Sequence, residues 1–100
     1  MEVNNRPEFM HALETGNFAE AESWLLKKRG EVQRLAGEPA MEDGSWTEID
    51  HLERFLFRAL HQSGRYTDAK RIVEDSTFES SKVARRKRLE QVAGQPYDEI

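Results

Sequence analysis

The chain has 100 residues, the length of one domain, and 34% of them are charged. Cysteine is absent, which excludes disulfides, cysteine-ligated metals and cysteine nucleophiles. The net charge of −4 is uneven: residues 1–50 hold 5 Lys and Arg against 11 Asp and Glu, whereas residues 51–100 hold 10 against 8, so only the second half suits an acidic partner.

The N-terminal third predicts two helices. Residues 1–5 are expected to be flexible, with Asn4 or Asn5 as the N-cap of a helix over residues 7–15 that has Pro7 in its first turn. A Gly-Asn pair then ends this helix, because both residue types tolerate left-handed backbone geometry. Apolar residues recur at helical spacing over residues 18–36 and predict a second, longer helix.

The middle of the chain predicts a loop and a third helix. Residues 37–45 hold glycine, proline and acidic residues, which is typical of a surface loop. Ser45 or Thr47 is the expected N-cap, since Ser45 and Glu48 have the spacing of a capping box. The third helix is predicted to reach residue 63, where a glycine follows.

The last third predicts two more helices, over residues 67–75 and 78–93, and a flexible tail over residues 95–100. The final helix has a poor apolar face, because Val83 does not align with Leu89. No segment has the alternation of a strand, so we expect one all-α domain over residues 1–100 with about five helices.

One short motif occurs twice at an offset of 48 residues. It has glycine, an aromatic residue two positions later and alanine three positions after that. Glycine allows a helix to end in a left-handed residue, and the small alanine allows two helices to approach closely. The motif therefore predicts two helical hairpins whose turns are fixed by these structural residues: Gly16, Phe18 and Ala21, then Gly64, Tyr66 and Ala69.

Residues 13–21 and 61–69 resemble the hairpin of tetratricopeptide repeats (TPR), at the end of helix A, the turn and the start of helix B. The two units are divergent, because they lie 48 residues apart and have Phe9 and Phe57 where the family prefers small residues. The resemblance implies two TPR-like αα-hairpins and a C-terminal helix. It also implies that the outward face of helix A lines a binding groove.

A basic stripe lies on that face of the third helix, opposite Leu52, Leu56 and Leu60. Guanidinium groups bind carboxylates in a bidentate manner, so the stripe would suit an acidic peptide. The alternative interpretation is a solvated face whose charges pair with neighbouring acids. The partner-binding residues implied by the resemblance are Arg54, Arg58, His61 and Arg65, with Arg6 and Met10 from the first unit.

A second basic feature has five cationic residues within seven positions: Lys82, Arg85, Arg86, Lys87 and Arg88. Such a cluster could bind the phosphates of a nucleic acid. It has no neighbouring aromatic residues for base stacking, so a solvated helix face is the alternative.

The sequence offers no catalytic motif, cofactor-binding loop or metal-ligand spacing, and Trp24 and Trp46 are interpreted as packing residues, with Trp46 as an alternative exposed anchor. We therefore expect a non-enzymatic, cytoplasmic interaction module or adaptor without cofactor. Its partner would be a protein or peptide, or a second copy of the chain. Nucleic-acid binding through residues 82–88 is the second hypothesis, and no membrane association is expected.

Overall fold

The computed structural model describes residues 2–100 and consists of five α-helices followed by one turn of 3-10 helix. The helices are α1 (Arg6–Glu14), α2 (Phe18–Ala36), α3 (Gly44–Gln62), α4 (Tyr66–Glu74) and α5 (Glu79–Ala93), and the 3-10 turn is Tyr97–Glu99. Over the described range no residue is in a strand, so the prediction of an all-α fold with five helices is confirmed.

Two helix N-termini have side-chain caps, and only one of these was predicted. Asn5 caps α1, as expected, because its Oδ1 accepts a hydrogen bond from the amide of Glu8 at 2.9 Å. The prediction of Ser45 or Thr47 as the cap of α3 is wrong. Asp43 is the cap, since its carboxylate accepts the amide of Ser45 at 2.8 Å and carries the negative charge that a helix N-terminus favours.

The repeated motif forms the same turn in both places. Gly16 and Gly64 have φ angles of 78° and 75°, in the left-handed region that glycine adopts without strain. The residue after each glycine donates its amide to the backbone carbonyl of the residue five positions earlier. Asn17 bonds Ala12 at 2.8 Å, and Arg65 bonds Leu60 at 2.9 Å. These bonds satisfy carbonyls at the end of α1 and α3, and they join each helix to its successor as a hairpin.

Glycine is expected to reduce the stability of the protein in the middle of α2 and to increase it at the hairpin turns. The helix continues unbroken through Gly30, where an added Cβ would meet nothing within 4 Å. We therefore expect Gly30→Ala to raise the free energy of unfolding by about 0.5–1 kcal/mol. Gly16→Ala is expected to lower it by about 1 kcal/mol, because the alanine would hold a left-handed conformation. Urea denaturation of both variants measures the free energy of unfolding. A change of the same sign in both would contradict a helical conformation at Gly30 and a left-handed one at Gly16.

The core is organised around α3, which packs against each of the other four α-helices. Within the flat molecule of 39 × 31 × 15 Å, α1 also packs against α2, and α4 against α5. An ion pair of 2.9 Å between Glu22 and Arg71 joins α2 to α4. The largest fully buried side chains are Trp46, Phe9, Ile49, Leu52, Leu56, Leu60, Leu89 and Val73.

Both tryptophans pack as the sequence predicted. Trp46 is 2% exposed, and its Nε1 donates to the carbonyl of Gly37 at 3.2 Å, so the alternative of an exposed anchor is wrong. Trp24 lies against Phe9 with 5.3 Å between ring centroids, which ties α2 to α1.

The terminal segments, expected to be flexible, make specific contacts. Met1 lies outside the described residues, but Val3 is buried in the core. Tyr97 is 6% exposed, and its hydroxyl donates to Glu74 Oε1 at 2.6 Å. The tail also accepts hydrogen bonds from Lys70 of α4, at the carbonyl of Tyr97, and donates the amide of Tyr97 to Glu90 of α5. These contacts place the tail against α4 and α5.

Candidate functional site

A cavity of about 390 Å³ lies between one face of α3 and one face of α5. The residues of α3 that line it recur at helical spacing, and so do those of α5, so each helix contributes a continuous stripe. The lining residues are Asp50, Arg54, Phe57, Arg58, His61 and Gln62 from α3, and Ser81, Ala84, Arg85 and Arg88 from α5.

Three of the four arginines at the cavity lack an anionic partner. Within residues 2–100, no carboxylate oxygen lies within 4 Å of a guanidinium nitrogen of Arg54, Arg58 or Arg88. All three side chains are exposed to solvent. The cavity therefore presents three guanidinium groups whose hydrogen-bond donors are available to a ligand.

The fourth arginine, Arg85, is structural. It is 6% exposed, and its guanidinium donates to Asp50 Oδ1 at 3.0 Å and to Glu53 Oε1 at 3.4 Å. It also donates to Ser76 Oγ at 3.0 Å. Asp50 is the one carboxylate among the lining residues, and it shares Arg85 with Glu53, which Arg29 also approaches. These four charges balance, so the positive charge of the other three arginines remains uncompensated.

Glu53 lies behind Arg85 and is 2% exposed. Its carboxylate accepts the hydroxyl and the amide of Thr77 at 2.7 and 3.1 Å, and Arg29 approaches it at 3.6 Å. Burial raises the pKa of Glu53, and the bonds from Thr77 and the charges of Arg29 and Arg85 partly oppose that rise. This polar cluster joins α3 to the start of α5.

His61 forms the inner wall of the cavity. It is 9% exposed and its ring meets Phe57 edge-on, at 5.0 Å between centroids. Burial, together with the positive charges of Arg88 and Arg58, lowers the pKa of His61 below 6.5, so the imidazole is neutral at pH 7. Arg58 of α3 and Arg88 of α5 therefore both lie near His61, in the lining of one cavity.

The cavity contains only half of the partner-binding set that the resemblance implied. Arg54, Arg58 and His61 line it, but the other three residues are not among its lining residues. Arg6 pairs with Glu48 at 3.0 Å and lies over the ring of Phe55. Arg65 pairs with Asp68 at 2.7 Å and lies over Phe18, and Met10 packs against the core. Arg6 and Arg65 therefore contact acids and aromatic rings outside the cavity.

The basic stretch 82–88 is divided among several faces of α5. Arg85 is buried and Arg88 faces the cavity, whereas Lys82 lies 4.0 Å from Glu74 and Arg86 lies over the ring of Tyr97. Lys87 is exposed beside a separate shallow depression. Because a helix turns 100° per residue, five cations in seven positions cannot share one surface.

Sequence reasoning missed that Arg88 lines the same cavity as Arg54 and Arg58, and that Arg85 is buried. A signal for Arg85 existed: it stands four residues before Leu89, on the same face of α5. A charged residue that shares a helix face with a core leucine indicates a buried, paired charge.

Neither a metal site nor a membrane-spanning segment is found in the described part of the chain. No group of three His, Asp or Glu residues there could hold a metal ion. No helix of residues 2–100 is both long and apolar enough to cross a bilayer. No family model, curated protein or solved structure matches the chain.

Proposed function

We propose that this protein is an interaction module that binds an acidic segment of another protein in the cavity between α3 and α5. The observation that carries the proposal is the set of three arginines, Arg54, Arg58 and Arg88, that face one cavity without an anionic partner among the described residues. Planar guanidinium groups favour carboxylate and phosphate ligands, which they bind through pairs of hydrogen bonds.

The size of the cavity supports a side-chain ligand. Its 390 Å³ lies near the lower end of the range for small-ligand sites, about 300–1,000 Å³. One or two acidic side chains would enter it, and the rest of the bound segment would lie along the groove between the helices.

We also propose that the hairpins α1–α2 and α3–α4 are TPR-like and act as the framework of an adaptor. This interpretation rests on the sequence motif that occurs at both turns, Gly16 to Ala21 and Gly64 to Ala69. The proposed ligand site nevertheless depends on α5, which covers the face of α3 that the resemblance leaves to an open groove.

Charge reversal in the cavity tests the proposal. The probe is a fluorescein-labelled oligoglutamate peptide, and its anisotropy is measured with the full chain at low and moderate salt. The double variant Arg54→Glu/Arg58→Glu is expected to weaken binding by about tenfold or more, since two attractive charges become repulsive.

The matched control is Lys27→Glu/Arg34→Glu on α2, which makes the same change in net charge on a helix that contributes no residue to the cavity. It is expected to change the affinity by less than about twofold after salt screening. Equal weakening by both double variants would reject the cavity as the site, and no binding by the wild type would reject the function.

A nucleic-acid ligand is the second outcome that the assay distinguishes. The division of residues 82–88 among several faces disfavours it, because a continuous basic track is needed to follow a backbone. Tighter binding of a labelled single-stranded oligonucleotide than of the peptide, with a steep salt dependence, would favour that alternative.

A further inference from the structure

The balance of charge in the cavity discriminates between possible acidic ligands. Arg85 is shared between Asp50 and Glu53, and Arg29 also pairs with Glu53, so these two acids and two arginines balance one another. Because the lowered pKa of His61 favours its neutral form at pH 7, the charge left at the cavity is that of Arg54, Arg58 and Arg88. A single carboxylate offers one negative charge to these three cations. A phosphate monoester carries about −1.5 to −2 at pH 7 and offers three terminal oxygens as acceptors.

The direction of approach of the three arginines also favours a tetrahedral ligand. Arg54 and Arg58 come from one helix, one turn apart, and Arg88 comes from the facing helix. A planar carboxylate can use one or two such guanidinium groups at its edge, whereas the oxygens of a phosphate point in separate directions. Ser81, which lines the cavity from α5, adds a hydroxyl donor.

Other phosphate carriers fit less well. A nucleotide base would need an accessible aromatic surface, but Phe57, the aromatic ring at the cavity, is 4% exposed and lies against His61. A nucleic acid would need further cations in line, but Lys82 and Arg86 are engaged by Glu74 and Tyr97 on other faces of α5.

We propose that the ligand group of this cavity is a phosphorylated serine or threonine side chain in the partner protein, held by Arg54, Arg58 and Arg88. This inference rests on the proposed function and specifies its ligand. It assigns the site to recognition of a modified partner, so that phosphorylation of the partner would switch binding on.

The test compares three labelled peptides that differ only at the central residue, which is serine, glutamate or phosphoserine between glycine and alanine flanks. With the full chain, the phosphoserine peptide is expected to bind at least about tenfold more tightly than the glutamate peptide, because it forms additional charge-assisted bonds. The serine peptide is expected not to bind measurably. Arg88→Gln should remove most of the preference for phosphoserine, whereas Lys87→Gln, its exposed neighbour outside the cavity, should leave it unchanged.

A spectroscopic measurement separates ligand contact from a merely structural role of the arginines. A bound dianion would offset the charges of Arg58 and Arg88 on His61, together with those of Arg54 and Arg85 along the wall, so the pKa of His61 should rise when the phosphoserine peptide saturates the protein. Imidazole resonances followed by NMR over pH 5–8 report this shift. An unchanged pKa of His61 would overturn the assignment of the phosphate group to this cavity.

The outcomes separate failure of the inference from failure of the function. Binding of oligoglutamate without a preference for phosphoserine would overturn the inference and leave the acidic-segment module intact. Binding of inorganic phosphate alone as tightly as the phosphopeptide would assign a free-phosphate site and overturn the side-chain ligand. Absence of binding by every anionic peptide would overturn both, and preferential binding of an oligonucleotide would replace both.

Discussion

Replacing Arg85 with alanine is expected to lower the free energy of unfolding by about 3–5 kcal/mol, the usual cost of breaking a buried ion pair on one side. The variant would leave Glu53, at 2% exposure, without its partner on α5, and would leave Asp50 unpaired at the cavity wall. Because α5 has only a narrow apolar stripe, this loss should also loosen the helix that closes the cavity.

Urea denaturation measures the change, and two variants control it. Lys87→Ala, an exposed cation on the same helix, should cost less than about 0.5 kcal/mol. The double variant Arg85→Met/Glu53→Met removes both buried charges and should be clearly more stable than Arg85→Ala, since apolar replacements of a buried pair are often tolerated. A double variant no more stable than the single one would contradict the role given to the ion pair.

The destabilisation by Arg85→Ala should depend on pH. Burial already raises the pKa of Glu53 above 4.5, and loss of a nearby cation would raise it further. A carboxyl whose pKa is higher in the folded state than in the unfolded state stabilises the fold fully when the pH is below its unfolded-state pKa. This contribution is lost as the pH rises through the folded-state pKa. The difference from wild type should therefore be smaller at pH 5 than at pH 7.5.

Replacing Tyr97 with alanine is expected to cost about 3 kcal/mol or more, as for other large buried aromatic side chains. Tyr97 is 6% exposed, and the cations of Lys70 and Arg86 lie 4.7 and 4.6 Å from the centroid of its ring. The change would remove this packing and the hydrogen bond to Glu74 together.

The variant Tyr97→Phe separates the two contributions. It keeps the ring and removes only the hydroxyl that bonds Glu74, so it should cost about 1 kcal/mol. Hydrogen exchange of the amides of residues 97–100 should accelerate in Tyr97→Ala and change little in Tyr97→Phe. If Tyr97→Ala left stability unchanged, the tail would be flexible, as the sequence had indicated.

Several features of the fold were predictable because they depend on local physics. The bounds of α2 and the two left-handed glycines follow from apolar spacing and the absence of a Cβ. Capping preference limited the N-cap of α1 to Asn4 or Asn5, and the structure has Asn5. The cap of α3 was misplaced because Asp43, Ser45 and Thr47 all qualify chemically, and only the backbone geometry at Asp43 decides among them.

The packing of α5 could not be predicted from sequence, because it depends on groups far apart in the chain. The bonds from Arg85 reach residues 32 and 35 positions away, and nothing in the local pattern of α5 indicates those partners. For the same reason the sequence treated Tyr97 as part of a free tail, although its hydroxyl finds Glu74 on another helix.

The sequence by itself determined an all-α chain with two glycine turns and two sets of basic residues. Which arginines are paired was decided only by the tertiary structure, because ion pairing depends on distances between side chains of different helices. In the folded chain Arg6, Arg65 and Arg85 pair with carboxylates, whereas Arg54, Arg58 and Arg88 line one cavity. The candidate site exists because α5 packs on α3 and brings Arg88 to the cavity that Arg54 and Arg58 line.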